Sequence, residues 1–225
     1  MSFSGYTADP IRAAAAAERL RAFLAGGCVA DECARVQLPS GLVDVRHAAP
    51  AVVVLPAPAW SDPAARLLVR PEVADRLQQA ALRLPEDVRL GLWEGLRPVP
   101  VQRRLWRDGL AYLRESHPEL ADAELERLLE LFVARPDGAR PPHSTGSAVD
   151  IAPVNAFGQA LQPGDAWGRV ALEVVSAALR ESGLANYAPE WWHWSYGDEE
   201  WARVFDCRPL PFAVTPEFDG PGGGI

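Results

Sequence analysis

Prolines divide this chain into short segments and thereby limit what it can fold into. The sequence contains 21 prolines among 225 residues, and several of them stand at the ends of apolar stretches. A proline lacks a backbone donor and is disfavoured inside helices and central strands, so it marks where elements begin or end. The chain is therefore expected to combine several helices with a few short strands.

The pattern between these breaks predicts the individual elements. Apolar residues recur at helical spacing over 11–27, 71–85, 101–116, 121–136 and 169–183, and strand-like stretches cover 42–48, 51–58, 87–95, 146–153 and 189–197. Asp122 is the expected N-cap of the fourth helix. Because the strands are few and short, the pattern favours an α+β fold with a small antiparallel sheet flanked by helices over a doubly wound sheet.

The length suits a single domain. We expect an N-terminal helical extension over 1–40, a core over 41–203 and an irregular, Pro- and Gly-rich C-terminal tail over 204–225.

Composition excludes several classes of protein. The net charge is −8, with 48% hydrophobic and 23% charged residues, and no dense Lys/Arg stripe suggests a nucleic-acid partner. No long uncharged apolar span predicts a membrane helix. The start of the sequence shows no secretory signal, so a cytoplasmic location is expected. Three cysteines do not form a disulfide framework and are expected as free thiols.

Two of the four histidines have a carboxylate at short spacing. His143 precedes Asp150 by seven positions, and His193 follows Glu190 by three. Each pair alone could be structural, as a loop histidine beside a strand-end aspartate or a satisfied histidine in a Trp-rich core strand. Together they offer two imidazoles and one carboxylate, the usual ligand number of a catalytic zinc that keeps its fourth position open for water. The second carboxylate could then act as general base.

The local backbone predicts which carboxylate binds the metal and which transfers the proton. Residues three apart on an extended strand point to opposite faces, so Glu190 and His193 are not both expected as ligands. A turn at Gly146 would bring His143 and Asp150 to one point. We therefore expect Asp150 to bind the metal and Glu190 to transfer the proton.

A third candidate is Arg97, which ends a predicted strand directly before Pro98. A residue before proline is held extended, which fixes the direction of its side chain. Arg97 could be an ordinary surface arginine, or a guanidinium placed to stabilise a developing oxyanion.

These motifs resemble those of the M15 zinc metallopeptidases. "HSTGSAVD" resembles their first zinc signature, and "EWWHW" the second signature of the D-alanyl-D-alanine dipeptidase branch, known from vancomycin resistance; "LWEGLRP" and "LVDVRHA" resemble further stretches, in the same order. The resemblance implies a DD-peptidase/hedgehog-like zinc fold, one Zn²⁺ and hydrolysis of a D,D-dipeptide such as D-Ala-D-Ala. It implies His143, Asp150 and His193 as zinc ligands, Glu190 as base and Arg97 as the stabiliser of the tetrahedral intermediate.

The sequence departs from the family where the substrate's amine would be bound. Pro141 stands where the family has a serine, and His47 where it has a tyrosine. The stretch between the two zinc motifs is shorter, and Asp165 is the candidate replacement carboxylate. A small peptide is therefore the expected substrate, with His47 and Asp165 as candidate contacts. Two alternatives stay open: a related peptidase acting on another cell-wall or specialised peptide, and a zinc-binding domain without catalysis.

Overall fold

The structure is a computed structural model that describes residues 41–57, 61–63, 65–137, 140–210 and 212–213. The predicted helix over 11–27 and the extension 1–40 lie outside these residues, as does most of the predicted tail. The division of the chain into extension, core and tail stays a prediction.

The secondary-structure elements alternate along the chain. In order they are β1 (Val43–Asp44), α1 (Val45–Ala48), β2 (Val53–Val54), β3 (Leu68–Val69), α2 (Pro71–Leu82), β4 (Val88–Glu94), α3 (Val99–Ser116), α4 (Asp122–Glu130), α5 (Pro142–Thr145), β5 (Ala148–Asn155), α6 (Ala166–Glu181), β6 (Ala185–Asn186), β7 (His193–Ser195) and α7 (Glu199–Val204).

A five-stranded sheet with the order β2-β4-β5-β7-β6 forms the centre. The pairs β4–β5, β5–β7 and β7–β6 are antiparallel, and only the edge strand β2 runs parallel to its neighbour β4. β1 and β3 form a separate antiparallel pair. The predicted α+β class with a small, mainly antiparallel sheet is confirmed.

The two faces of the sheet have different roles. Successive side chains of a strand point to opposite faces. Val149 and Ile151 of β5 belong to the main core, which also takes buried residues from α2 and α6. Asp150, Ala152 and Val154 alternate with them on the other face, where Ala152 and Val154 form a smaller apolar cluster. Asp150 thus lies on the face that α2 and α6 do not cover.

Strand register places three polar residues side by side on neighbouring strands. Asp150 of β5 is paired with Glu94 of β4 on one side and with His193 of β7 on the other. The register of β4 shifts between Leu92 and Glu94, as at a β-bulge, which can redirect a side chain near a site. This row of residues is the structural base of the candidate site.

Helices α3 and α4 pack against each other through a leucine-rich cluster of their own. Gly109 permits this close approach, because a Cβ at this position would lie 2.7 Å from Leu129 Cδ1. Gln102, near the start of α3, accepts a hydrogen bond from Arg97, which follows β4.

Three local predictions were wrong. The stretch 42–48 is a strand only at Val43–Asp44, and the Asp44 carboxylate then caps the short helix α1. The stretch 189–197 forms a turn before β7, since His193 N–H donates to Glu190 C=O at 3.0 Å. Asp122 is the first residue of α4, and Ala121 precedes it as the cap position.

Most remaining boundaries agree with the sequence pattern to within a few residues. Among the described helices, none combines the length and the apolar character that crossing a bilayer requires.

Candidate metal centre and active site

Three side chains from separate segments converge on one point. His143 lies on α5, Asp150 on β5 and His193 at the start of β7, and together they form a group that could hold a metal ion. His143 Nε2 is 3.0 Å from His193 Nδ1, and each of these nitrogens is 3.3 Å from Asp150 Oδ1. The structure therefore brings together the three ligands expected from the sequence.

This spacing fits a metal ion. Ligands about 2.0–2.1 Å from a tetrahedral zinc lie about 3.3–3.4 Å from one another. Asp150 Oδ1 is buried and has no hydrogen-bond partner among the described residues. A cation between the two nitrogens and this oxygen would satisfy all three lone pairs, so the residues present fit the group.

The orientation of His143 is fixed from behind. Its Nδ1 is 2.8 Å from the carbonyl oxygen of Gly95, so Nδ1–H donates and the lone pair remains on Nε2, which faces the other ligands. A hydrogen bond of this kind sets the tautomer that a metal ligand needs. Gly95 itself has no room for a side chain, because a Cβ would lie 2.7 Å from Leu68 O.

A left-handed residue ends α5 and redirects the chain into β5. Gly146 has a φ of 74°, and its N–H donates to the carbonyl of His143. Such a conformation costs glycine little and other residues more. The turn expected at Gly146 is confirmed, and it allows His143 and Asp150 to meet.

Glu190 lies beside this group rather than within it. Its Oε2 is 3.9 Å from His193 Nδ1, and the residue is 6% exposed. The turn between Glu190 and His193 places both side chains at the same site although they are three residues apart. The structure thus places the Glu190 carboxylate next to the group through a turn, and not along the extended strand that the sequence pattern predicted.

Asn186 holds this turn together. Its side-chain amide donates to the carbonyls of Glu190 at 3.0 Å and His193 at 2.9 Å, with Trp191 O at 3.5 Å. One amide group thus bridges the backbone of Glu190 and of the candidate ligand His193.

Arg97 reaches the same site from the end of β4 and is buried. Its Nη2 lies 3.7 Å from Asp150 Oδ2, on the side of that carboxylate away from the two imidazoles. Its backbone N–H donates to the carbonyl of His143, and its carbonyl accepts from the hydroxyl of Ser144. The backbone of Arg97 and helix α5, which carries His143, are therefore fixed to each other.

The charges of the site influence one another. Burial by itself would raise the pKa of the Asp150 carboxyl, but the adjacent His143 and His193 outweigh it and hold that pKa below its usual range. Burial also works against the charge of Arg97, but Glu94 overcomes it and raises the pKa of the guanidinium. Asp150 is thus held ionised, the form that binds a metal.

The charge balance of the buried groups suits a divalent cation. Glu94, Asp150 and Glu190 are buried carboxylates, and Arg97 is the buried guanidinium among them. When all four are ionised, these groups together carry a net charge of −2. Because burying an uncompensated charge is costly, a divalent ion at the ligand group would balance the site.

The candidate substrate contacts lie elsewhere. His47 is exposed on α1, and the Asp165 carboxylate caps α6 by accepting from Gly168 N–H at 2.6 Å. Neither belongs to the buried group around Asp150. Pro141 immediately precedes α5 and is buried, so the loop with His143 begins at a residue without a side-chain donor or acceptor.

Sequence reasoning missed Glu94, Gln102 and Asn186. Glu94 lies in the LWEGLRP stretch with Arg97, and Gln102 follows Arg97 by five residues. A charged residue at the buried end of β4 was a usable signal for Glu94. Asn186 ends β6, four residues before Glu190 in the turn that follows, and its role could not be read from the sequence pattern.

Comparison with known proteins finds sequence similarity to a dipeptidase. No protein-family profile matches the sequence. A D-alanyl-D-alanine dipeptidase from Synechocystis sp. is 23% identical over 183 residues, which cover 63% of this chain and 74% of that protein. The chain is thus similar to a D-alanyl-D-alanine dipeptidase. This similarity supports the resemblance that the motifs indicated.

Two solved structures show weaker likeness. VanYB in complex with D-alanine-D-alanine matches with a TM-score of 0.42 and 17% identity, over 62% of this chain and 77% of that chain. The vancomycin-resistance D,D-pentapeptidase VanY of the VanB-type cassette, in complex with Zn(II), matches with a TM-score of 0.43 and 17% identity, over 71% and 94% of the respective chains.

Proposed function

We propose that this protein is a zinc-dependent peptidase that hydrolyses a D,D-dipeptide such as D-Ala-D-Ala. The observation that carries the proposal is the buried group His143, Asp150 and His193 with the Glu190 carboxylate 3.9 Å from one of its ligand atoms. The relationship to a D-alanyl-D-alanine dipeptidase supports the substrate class.

Two imidazoles and one carboxylate match the ligand set of hydrolytic zinc sites, which keep one position open for water. A bound Zn²⁺ would act as a Lewis acid and lower the pKa of water at that position. Structural zinc sites have four protein ligands. The three-ligand group with Glu190 beside it therefore favours an enzyme over a zinc-binding domain without catalysis.

Glu190 is assigned the proton transfers. Its carboxylate can accept a proton from the attacking water and pass it to the leaving amine, which requires a position within reach of both. Burial at 6% exposure shields it from bulk solvent, and the turn closed by Asn186 fixes its backbone.

Arg97 is assigned to the developing negative charge. When a peptide carbonyl is attacked, its oxygen becomes an oxyanion, and a fixed cation at this position stabilises the transition state more than the ground state. The buried position of Arg97 next to Asp150 supports this role, because its charge acts there with little screening by water.

Incubation of the zinc-loaded protein with D-Ala-D-Ala and measurement of released D-alanine tests the proposal. We expect hydrolysis that stops on chelation and returns with Zn²⁺, while L-Ala-L-Ala is cleaved much more slowly. Glu190→Gln should bind zinc and be inactive. Cleavage of a longer muramyl peptide but not of the dipeptide would instead support the related cell-wall peptidase, and no cleavage of either would contradict the proposal.

A further inference from the structure

A buried acidic residue beside the site has no role in the proposed chemistry. Glu94 is 0% exposed and is paired with the metal ligand Asp150 across β4 and β5. Its Oε2 accepts two hydrogen bonds from Arg97, from Nε at 3.2 Å and from Nη2 at 2.5 Å. Its Oε1 has no partner among the described residues.

Gln102 holds the same guanidinium from the other side. Its Nε2 donates to the carbonyl of Ala134 at 2.6 Å, which leaves Oε1 to accept from Arg97 Nη1 at 3.0 Å. All three nitrogens of the guanidinium are thus hydrogen-bonded to side chains that are themselves buried. A planar group held at three nitrogens has one orientation.

This arrangement contributes little to the stability of the fold. A buried ion pair contributes little net stability compared with apolar residues of similar volume, because both charges lose their hydration. In Glu94 the cost is higher, since one carboxylate oxygen is buried without a hydrogen bond. The sequence retains a charged pair where leucine or methionine would pack, directly beside three groups of proposed function.

We infer that Glu94 is a positioning residue that, together with Gln102, holds the Arg97 guanidinium in its working orientation and limits its contact with the metal ligand Asp150. The inference rests on the proposed function for the role of Arg97. Nη2 of Arg97 already lies at an ion-pair distance of 3.7 Å from Asp150 Oδ2, so a guanidinium released from Glu94 can move closer and form a tighter ion pair with Asp150. That pair would withdraw charge from the carboxylate that binds the metal.

The kinetic test uses Glu94→Gln, which preserves the size of the side chain but not its charge. We expect kcat for D-Ala-D-Ala to fall about 10–100-fold, the usual effect of losing a partner that orients a site residue, with KM little changed. Because Glu94 acts through Arg97, the substitution should have almost no further effect on kcat in an Arg97→Ala background. An equal loss in both backgrounds would overturn the inference.

A matched control separates this from a general effect of losing a Glu–Arg pair. Glu126 accepts from Arg135 at 2.7 Å on the surface, and Glu126→Gln should leave kcat unchanged. If Glu94→Gln does not fold, Gln102→Met removes the other hydrogen bond that orients Arg97, with little change in side-chain volume. Its effect on kcat should likewise vanish in the Arg97→Ala background, and persistence of the effect would count against the inference.

A second measurement does not depend on hydrolysis. Zinc affinity, measured by competition with a chromogenic chelator, should fall about 10–100-fold in Glu94→Gln, because Arg97 then competes for Asp150. The double variant Glu94→Gln/Arg97→Ala should recover most of the loss, whereas equal affinities in the wild type and Glu94→Gln would refute this part. If the wild-type protein does not cleave the dipeptide at all, the proposed function fails while this zinc measurement still decides the role of Glu94.

Discussion

Replacing Asn186 by alanine tests whether one amide group aligns the proposed base and a metal ligand. The substitution removes the donors to the carbonyls of Glu190 and His193, at 3.0 and 2.9 Å. A backbone bond between His193 N–H and Glu190 C=O remains, so the turn is loosened rather than abolished. We expect the site to lose function without loss of the fold.

The magnitude follows from the two lost hydrogen bonds. Each contributes about 0.5–1.5 kcal/mol, so the turn loses about 1–3 kcal/mol. If zinc binding must then order the turn again, the same free energy appears as a loss of zinc affinity of roughly 5–150-fold, at about 1.4 kcal/mol per factor of ten. A displacement of about 1 Å of the Glu190 carboxylate can lower kcat by about 100-fold even at saturating zinc.

Asn155→Ala is the matched control. Asn155 makes three local hydrogen bonds, one from Nδ2 to Gln159 and two to Oδ1 from backbone N–H groups, at the opposite end of β5 from Asp150. Five residues of strand separate the two positions, or about 17 Å. Chemical denaturation of the zinc-free proteins should show a loss of unfolding free energy of about 1–3 kcal/mol for Asn186→Ala and, with three bonds lost, of about 1.5–4.5 kcal/mol for Asn155→Ala.

Only Asn186→Ala should also lose zinc affinity and kcat. Chelator competition gives the affinity, and release of D-alanine at saturating zinc gives kcat. If Asn186→Ala, like Asn155→Ala, loses stability but retains wild-type zinc affinity and kcat, Asn186 is merely a structural residue. The reasoning that connects it to the site would then be refuted.

Three further predictions concern the oxyanion, the His143 acceptor and the substrate's amine. Arg97→Lys should lower kcat, with a loss of about 2.7–4 kcal/mol of transition-state stabilisation, because an ammonium does not reproduce the planar guanidinium. An increase in KM alone would place Arg97 in substrate binding. Gly95→Ala should lower zinc affinity, because its Cβ would lie 2.7 Å from Leu68 O and displace the carbonyl that fixes His143. An unchanged affinity in chelator competition would show that the Gly95 carbonyl does not control zinc binding. N-acetyl-D-Ala-D-Ala should be cleaved with a kcat/KM close to that of the free dipeptide, because Pro141 offers no side-chain acceptor to the substrate's amine. A strong penalty for acetylation would show that the amine is still required.

The fold class could be predicted because prolines and periodicity mark the element boundaries. α2 and α3 begin near prolines and follow a helical apolar pattern, and their observed bounds agree with the predicted ones to within three residues. Short polar elements were not predictable in this way. The segment after Asp44 became a helix because the Asp44 carboxylate caps it, and a four-residue helix has too few positions to show a period.

The candidate site was predictable where chemistry and spacing coincide in the sequence. His143, Asp150 and His193 are residue types that bind metals, and the structure places them together. Glu94 was not predicted because its meaning depends on strand register, which pairs it with Asp150. Asn186 was not predicted because its side-chain amide donates to the backbone carbonyls of Glu190, in a turn, and His193, on β7. Every residue has a backbone carbonyl, so such an interaction produces no sequence pattern.

The most direct test of the central claim is zinc content and turnover measured on the same Glu190→Gln preparation. The account predicts one zinc per chain, as in the wild type, and a kcat for D-Ala-D-Ala lowered by roughly 10²–10⁴-fold. A His143→Ala/His193→Ala variant, measured in parallel, should contain no zinc. The account is contradicted if Glu190→Gln loses its zinc but retains the wild-type rate per bound metal, because Glu190 would then be a ligand and not the base.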